Sequence, residues 1–318
     1  MGYQMRQLRR RQLGWLAAGS FAATFAHAAP APEVSRAAGT GFSVASDSEG
    51  FATRRGFIEL MPSFSGRDDL AGVRHTASAF SIDGWSRNAQ QLSAIYRSVD
   101  PATTDGTQVE AGYSRQGGHG LLTLDATYRT ALGKGRSVEL FVNRDWVETR
   151  RALDAGVNFT FGGAAFEQAL GAHVTVVGVA GYQDFSDGNQ RKHGRAKLIV
   201  QPSLDLGLTL QARYRMYHSD ADAVARTYFN PERYDESMLA IGWRKRVQGW
   251  MGSLTAGVGR QKVGDAAREP SRLLEAALES PAGRKQSLRL RAGLNNSASF
   301  GGPDYTYRYA QAEWLIGF

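Results

Sequence analysis

The sequence contains no cysteine, only 9 prolines among its 318 residues, and no apolar run long enough to cross a bilayer as a helix. The missing cysteine excludes thiol nucleophiles, zinc–thiolate sites and iron–sulfur clusters. With 42% apolar residues and so few prolines, collagen-like and long disordered chains are excluded too. The mean hydropathy of −0.36 argues against a bundle of membrane-spanning helices. Two classes remain: a soluble globular enzyme, or a transmembrane β-barrel, whose alternating strands look only mildly hydrophobic.

Residues 1–28 have the features of a cleavable secretory signal peptide. Four arginines between residues 6 and 11 precede the apolar stretch 13–25, and Ala26-His27-Ala28 supplies an A-x-A cleavage pattern. Cleavage lowers Lys+Arg from 38 to 34 against 30 acids, so the exported chain carries a charge of about +4. An exported chain without cysteine suits an oxidising compartment. We expect a short periplasmic segment over 29–40 and the main domain over 41–318.

The exported chain alternates apolar and polar residues with a period of two. From 206 to 217 the even positions are leucine, alanine, tyrosine or methionine, while the odd ones are mostly polar or arginine. Residues 122–129, 239–244 and 287–294 repeat the pattern. Successive side chains on a strand point to opposite faces, so each run has one apolar and one polar face. Several runs reach ten residues, the length of a tilted membrane-spanning strand.

This periodicity predicts an all-β fold, a single antiparallel up-and-down transmembrane barrel of sixteen strands, with fourteen as the alternative. Short turns on one side and longer polar loops on the other (185–190, 219–232, 262–268 and 297–303) support it, because outer-membrane barrels segregate their connections in this way. The segment 162–170 is long for a periplasmic connection and could form a short helix or plug. The predicted strands are 40–48, 56–66, 73–82, 88–98, 106–115, 119–130, 136–147, 152–162, 171–184, 191–201, 205–218, 233–246, 249–261, 269–281, 284–296 and 304–318.

The charged positions should face the lumen, because a charge on the lipid side at midplane costs about 2–4 kcal/mol. Cations outnumber acids among these positions from residue 191 onward, which predicts positive potential in that part of the lumen. Pairing of the charges across the lumen, to brace the wall, is the simpler alternative. The three tyrosines could stack on sugar rings or form an interfacial aromatic girdle. The predicted lumen residues are Arg195, Lys197, Arg213, Arg215, Tyr217, Arg244, Arg246, Arg289, Arg291, Tyr307 and Tyr309, joined by Asp125, Arg129, Glu139, Asp145 and Glu313.

The last strand ends in Trp314, Ile316 and Phe318 on one face. This apolar alternation with a terminal aromatic is the pattern that the barrel-assembly machinery reads. We therefore expect that machinery and the outer-membrane lipid as partners, and the bacterial outer membrane as the location.

Three stretches resemble the C-terminal barrels of bacterial exopolysaccharide exporters of the poly-N-acetylglucosamine porin type: 144–151 (RDWVETRR), 182–189 (YQDFSDGN) and 228–234 (YFNPERY). The resemblance covers about residues 56–318. It implies a sixteen-stranded barrel through which a biofilm polysaccharide leaves the periplasm. The chain departs from the family in lacking the tetratricopeptide repeats that precede the barrel, so a separate periplasmic scaffold is the expected partner. The arginine-rich lumen suits a neutral or anionic glycan better than a cationic one.

Motifs for other chemistry are weak. There is no G-x-S-x-G, and 133–135 and 257–259 lack the third glycine of a dinucleotide loop. We expect no enzyme, no cofactor, no metal and no nucleic-acid partner. A barrel enzyme that modifies lipid or glycan, with a site at His119 or His218, is a minor alternative to export, and a stand-alone porin for small anionic solutes is the main one. Asp184, Asp187 and Asn189 could ligate calcium, although an Asp-Gly turn explains them more simply.

Overall fold

The computed structural model describes residues 35–203, 205–220, 227–281, 285–296 and 306–318. Sixteen antiparallel strands close into one barrel, each paired with its neighbours in sequence and β1 paired with β16, which confirms the predicted strand number. The strands are β1 Ala37–Asp47, β2 Ala52–Gly66, β3 Asp69–Ile82, β4 Trp85–Val99, β5 Gly106–Gln116, β6 His119–Gly133, β7 Arg136–Trp146, β8 Asn158–Ala169, β9 Val174–Phe185, β10 Gln190–Ser203, β11 Leu208–Ser219, β12 Arg233–Val247, β13 Trp250–Val263, β14 Glu269–Glu279, β15 Gln286–Asn296 and β16 Thr306–Gly317.

Pairing of β1 with β16 closes the barrel and brings the start of β1 next to the end of β16. Ala37 lies opposite Gly317, and the backbones of Arg36 and Phe318 exchange two hydrogen bonds. A closed ladder leaves no unpaired strand edge, as a wall in hydrocarbon requires. We call the barrel end where β1 begins and β16 ends the inner end, since both termini of such barrels face the periplasm. The opposite end is the outer end.

The two faces of the wall follow the alternation in the sequence. The apolar positions point outward, where Leu122, Leu239 and Val258 are between 66% and 72% exposed. The intervening polar positions point into the lumen. No helix in the described part of the chain is long and apolar enough to cross a bilayer.

Tight hairpin turns connect several strands. Asp83-Gly84 and Gln248-Gly249 each place two successive residues at positive φ, with Asp83 at 30° and Gln248 at 50°. Two-residue turns of this kind match the twist of the strands that they join. The turns between strands of the first half are short at both ends, while the longer outer connections lie after β7 and β11.

One predicted strand is wrong. Residues 152–162 do not form a single strand: 150–155 form a short helix, α1 (Arg150–Ala155), and β8 begins at Asn158. Thr149 caps the helix by accepting from the Ala152 N–H, and Gly156 ends it in the left-handed conformation at φ 68°. A helix of this length is too short to give a clear 3.6-residue period. The segment 162–170, expected to be a connection with a short helix or plug, is strand instead, because β8 continues to Ala169.

Some expectations fall outside the described residues. They include the signal peptide 1–28 with residues 29–34 of the segment 29–40, the outer loop 297–303, and parts of the connections at 204, 221–226 and 282–284.

Candidate functional site

The sequence-predicted lumen residues lie on inward-facing positions of their strands. The cations occupy β10, β11, β12 and β15, and the tyrosines occupy β11 and β16. Asp125, Arg129, Glu139, Asp145 and Glu313 face inward as well. Arg246 is exposed at the inner rim, where its Nη1 donates to the Gly249 carbonyl. The parity of the strands thus brings these side chains to one aqueous interior.

Strands β10, β11 and β12 form what we call the cation sector. Their inward positions carry seven basic side chains, and Glu236 is the one acid among the inward positions of these three strands. The flanking strands β9 and β13 carry no charged residue on their inward positions. The basic residues of the cation sector are Arg191, Arg195, Lys197, Arg213, Arg215, Arg244 and Arg246.

Like charges face one another inside the cation sector. Arg195 lies directly opposite Arg215, and Lys197 directly opposite Arg213, in the β10–β11 register. Like charges on facing positions destabilise a sheet. Lys197 is 8% exposed, and its Nζ has no hydrogen-bond partner in the described residues. A charged group so placed has a large desolvation cost, which an anion in the lumen would relieve.

Other arginines of the lumen brace the wall, as the simpler interpretation predicts. Arg215 pairs with Glu236 and donates to the Tyr234 hydroxyl at 2.9 Å. Arg289 pairs with Glu279 at 2.6 Å and approaches Glu313 at 3.8 Å. Pairing with an acid reduces the charge that these side chains offer to a solute. With seven cations and one acid on the inward positions of β10, β11 and β12, the cation sector still has an excess of positive charge.

The three lumen tyrosines differ in accessibility. Tyr217 is 6% exposed, stacks on Tyr234 at 5.1 Å and lies under the Arg191 guanidinium at 4.4 Å, so it offers no free ring face in this structure. Tyr307 and Tyr309 stack on each other at 5.9 Å. Tyr309 is half-buried and covers Gly293, where a Cβ would lie 2.6 Å from its ring. Tyr309 is thus the most accessible sugar-stacking candidate of the three.

The outer end of the lumen is covered by a cap, and sequence reasoning did not find the part of it that contains α1. We define the outer cap as residues 147–157, which contain α1, together with residues 227–232. Ala152 and Leu153 of α1 are fully buried. Leu153 packs with Phe51, Phe80 and Trp146 on the inner wall of the outer end. The segment therefore folds into the barrel, where its apolar face meets an apolar collar of the wall.

Polar contacts hold this segment against the wall. Glu148 forms a buried ion pair with Arg55, and Asp154 pairs with Arg87 and accepts from the Trp85 indole at 3.1 Å. The Gln116 side chain donates to the Leu153 carbonyl at 2.9 Å. Ion pairs and apolar packing together fix the position of α1 across β2–β6.

The second part of the outer cap locks onto β9 and β10. Tyr228 stacks on Phe185 at 4.7 Å, and burial raises the pKa of its hydroxyl. Asn189 donates to the Tyr228 hydroxyl and to the Asn230 side chain, each at 3.0 Å. The Arg191 guanidinium donates to the Phe229 carbonyl at 3.1 Å.

The two parts of the outer cap also touch each other. The Thr149 hydroxyl donates to the Thr227 carbonyl at 2.5 Å, and Val147 shares an apolar cluster with Tyr228. The three stretches that carry the family resemblance, 144–151, 182–189 and 228–234, therefore meet at the outer mouth. The sequence places 185–190 and 219–232 in outer connections, but it does not show that 144–151 meets them, because no spacing relates the three stretches.

A cavity of about 390 Å³ lies beneath the outer cap, on the side of β1–β7. Glu148 and Trp146 bound it toward the cap, and Arg289 and Glu313 line it toward the inner end. Arg74 crosses this space and pairs with Glu59 at 2.5 Å and Glu110 at 2.8 Å. Basic and acidic side chains are mixed on this side of the lumen, whereas cations predominate in the cation sector.

The residues of the minor catalytic hypothesis and those of the metal hypothesis lie at separate places in the barrel. His119 faces α1, with its Nε2 3.3 Å from the Asp154 carbonyl, while His218 points outward. They lie on opposite faces of the wall. Asp187, Gly188 and Asn189 belong to one turn, in which Gly188 has a φ of 89°. Asp187 accepts from the Tyr228 hydroxyl, so the turn interpretation holds. The described residues contain no cluster of three or more His, Asp or Glu able to hold a metal ion.

The fold is that of bacterial outer-membrane β-barrels. No protein-family model matches the chain, and no curated protein matches it. Among solved structures, one described as a bacterial polysaccharide outer membrane secretin aligns with a TM-score of 0.64 at 14% identity, over 90% of this chain and 99% of that one. The outer membrane protein OprD from Pseudomonas aeruginosa aligns at 0.46, with 10% identity, over 91% of this chain and 96% of that one. P. aeruginosa OccK10 (OpdN) aligns at 0.41, with 14% identity, over 90% and 100%.

At these identities the likeness shows the architecture alone. Of the three structures, only the secretin is similar enough in fold to show it. The chain has the fold of a bacterial outer-membrane β-barrel, with sixteen strands around a capped, asymmetrically charged lumen.

Proposed function

We propose that this barrel is the outer-membrane pore for export of an exopolysaccharide, and that it works with a separate periplasmic scaffold. The observation that carries the proposal is the cation sector, with its facing pairs Arg195–Arg215 and Lys197–Arg213. Cations concentrated in a low-dielectric wall focus potential and attract anions. The cargo we propose is therefore a glycan with carboxylate or other anionic groups.

The arrangement of the cations supports transport rather than tight binding. Inward residues on one strand repeat every two positions, about 6.6–6.8 Å apart, so Arg195 and Lys197 line the wall toward the inner end, below Arg191, which the outer cap buries. Arg244 and Arg246 extend the row to the inner rim on β12. A succession of similar weak sites lets a polymer advance without being trapped. Tyr309 adds a ring for stacking across the lumen.

The proposal is tested by ion selectivity in planar bilayers. The unmodified channel should show an anion-selective reversal potential, and an Arg195→Gln, Lys197→Gln, Arg213→Gln variant should lose most of it. An Arg54→Gln variant is the matched control, because Arg54 is a basic side chain on the lipid side. A cation-selective channel, or an unchanged triple variant, would contradict the proposal.

Passage of a polymer is tested by current blockade. A linear polyuronate added on the inner side should block the open channel transiently, and a neutral glucan of the same length should block it less. The blockade should shorten in the triple variant, because fewer cations hold the polymer.

A stand-alone porin for small anionic solutes is the second candidate. The observation that favours it is the outer cap, since an inward-folded loop limits the size of solutes that pass. A porin would conduct small anions steadily and would show no blockade by the polyuronate. A long polymer that enters and then clears would favour export.

A further inference from the structure

The outward face of the barrel carries a second set of basic residues, which the lumen does not use. Lys192, His218 and Arg233 lie directly opposite one another on β10, β11 and β12. They are exposed and point away from the lumen, in the same row as the outward Tyr182. Three neighbouring basic side chains on facing positions repel one another when charged. A row of this kind is unfavourable unless something anionic lies against it.

The row belongs to a larger patch at the outer end. Arg260 and Lys262 of β13 and Arg272 of β14 also point outward, each among the four residues nearest the outer end of its strand. We call these residues with the row the basic rim: Lys192, His218, Arg233, Arg260, Lys262 and Arg272. No ion pair among the described residues includes a side chain of the basic rim; the nearby Asp235 is 6% exposed and pairs with Arg268 at 3.4 Å.

The level of the basic rim identifies the kind of partner. Toward the membrane along the same strands, past Asp235 and Ser237 on β12, the lipid-facing wall becomes apolar, with Met216, Leu239 and Val258 exposed. Tyr182 and Tyr214 lie at the boundary, where tyrosine prefers the interface between hydrocarbon and headgroup. The basic rim is therefore at headgroup depth on the outer side of the membrane, with acyl chains expected just beneath it.

The two ends of the barrel differ in this respect. At the inner end the outward positions of the strands carry Arg136 and Lys245, and these are not on adjacent strands. The concentration of cations on five neighbouring strands at the outer end is thus a local feature of the chain and does not follow from its overall charge.

We propose that the basic rim binds a phosphorylated lipid of the outer leaflet, with arginine and lysine side chains on the headgroup phosphates and the apolar wall beneath against its acyl chains. Arginine binds phosphate oxygens through two parallel hydrogen bonds, and basic residues near a membrane surface add their attraction to anionic headgroups. A diphosphorylated glycolipid of the lipid A type has the matching charge, spread and acyl part. Its phosphates relieve the repulsion within the row.

The test uses the full barrel in neutral detergent and native mass spectrometry with added diphosphorylated lipid A. The unmodified protein should retain the lipid, and a Lys192→Gln, Arg233→Gln, Arg260→Gln, Arg272→Gln variant should bind it at least about tenfold more weakly. The matched control removes four charges from the inner end, by Lys134→Gln, Arg136→Gln, Lys245→Gln and Lys285→Gln, and should bind as the unmodified protein does.

Three results would overturn the proposal: equal binding by the four-site variant, equal binding of dephosphorylated lipid A, or full displacement by millimolar inorganic phosphate, which would indicate a site for free anions. Heat-resistant migration on electrophoresis reports folding of each variant. If the four-site variant does not fold, the Lys192→Gln, Arg233→Gln pair is used, and a several-fold loss is expected. The outcome is independent of the cargo, because none of these residues faces the lumen.

Discussion

Glu148 and Arg55 form the ion pair that joins the outer cap to the wall at the cavity's outer limit. Glu148 is almost completely buried, and Arg55 is 13% exposed at its side chain. Removing one partner of a buried pair leaves an uncompensated charge, at a cost of about 3–5 kcal/mol. We expect Arg55→Met to favour an uncapped state and to raise the open probability of single channels by about a hundredfold or more.

The Arg55→Met, Glu148→Leu double variant should return close to the original open probability, because no charge is then left unpaired. Arg97→Gln serves as the control, since its ion pair with Asp68 at 2.9 Å lies at the inner end. Equal open probabilities for the single variant and the unmodified channel would show that the pair does not hold the cap.

Residue-level reasoning from the sequence found which side chains face inward, because strand parity decides it once the lipid side is known. It could not find which of them pair. Arg215 and Glu236 meet only because the β11–β12 register places them opposite each other, and that register is a property of the folded hairpin. The burial of Tyr217 depends on Phe229 of the outer cap, which no local pattern predicts.

At the scale of elements, α1 packs inside the lumen and is not part of the barrel wall. A Leu153→Asp substitution places a charge in the apolar collar, which disfavours the inward position of α1. We expect higher single-channel conductance with an unchanged thermal midpoint of the barrel, because the strand pairing is not touched. Ala155→Asp, on the exposed side of the same helix, should leave conductance unchanged.

A loss of barrel stability in Leu153→Asp as large as a core substitution in a strand would argue against a separable cap. The strands themselves were predictable because their hydrophobic period extends over many residues. The helix was not, since its evidence consists of a cap residue, Thr149, and a terminating glycine, Gly156, and four of its six residues read as the start of the predicted strand 152–162.

At the scale of the whole molecule, charge is distributed by face and by end. The cation sector occupies one side of the lumen, paired charges occupy the other, and the basic rim encircles part of the outer end. The same strands, β10 to β12, supply both cationic surfaces through their alternate residues. Under the two proposals, this stretch of sequence contacts cargo with one set of alternate residues and lipid with the other, so substitutions on one face test each proposal separately.

Substitutions at the end of the C-terminal strand can distinguish effects on assembly in cells from effects on the stability of the folded barrel. Phe318 is 64% exposed on the lipid side, and its backbone, not its ring, pairs with Arg36. Phe318→Ser should therefore leave the thermal midpoint of refolded protein nearly unchanged, while the amount inserted in cells falls several-fold, because the terminal aromatic is part of the expected assembly signal with Trp314 and Ile316. Phe42→Ser removes a ring of similar exposure, 55%, from the neighbouring β1 and should insert normally. Equal insertion of the two variants, measured from outer-membrane fractions, would mean that Phe318 has no special role in assembly.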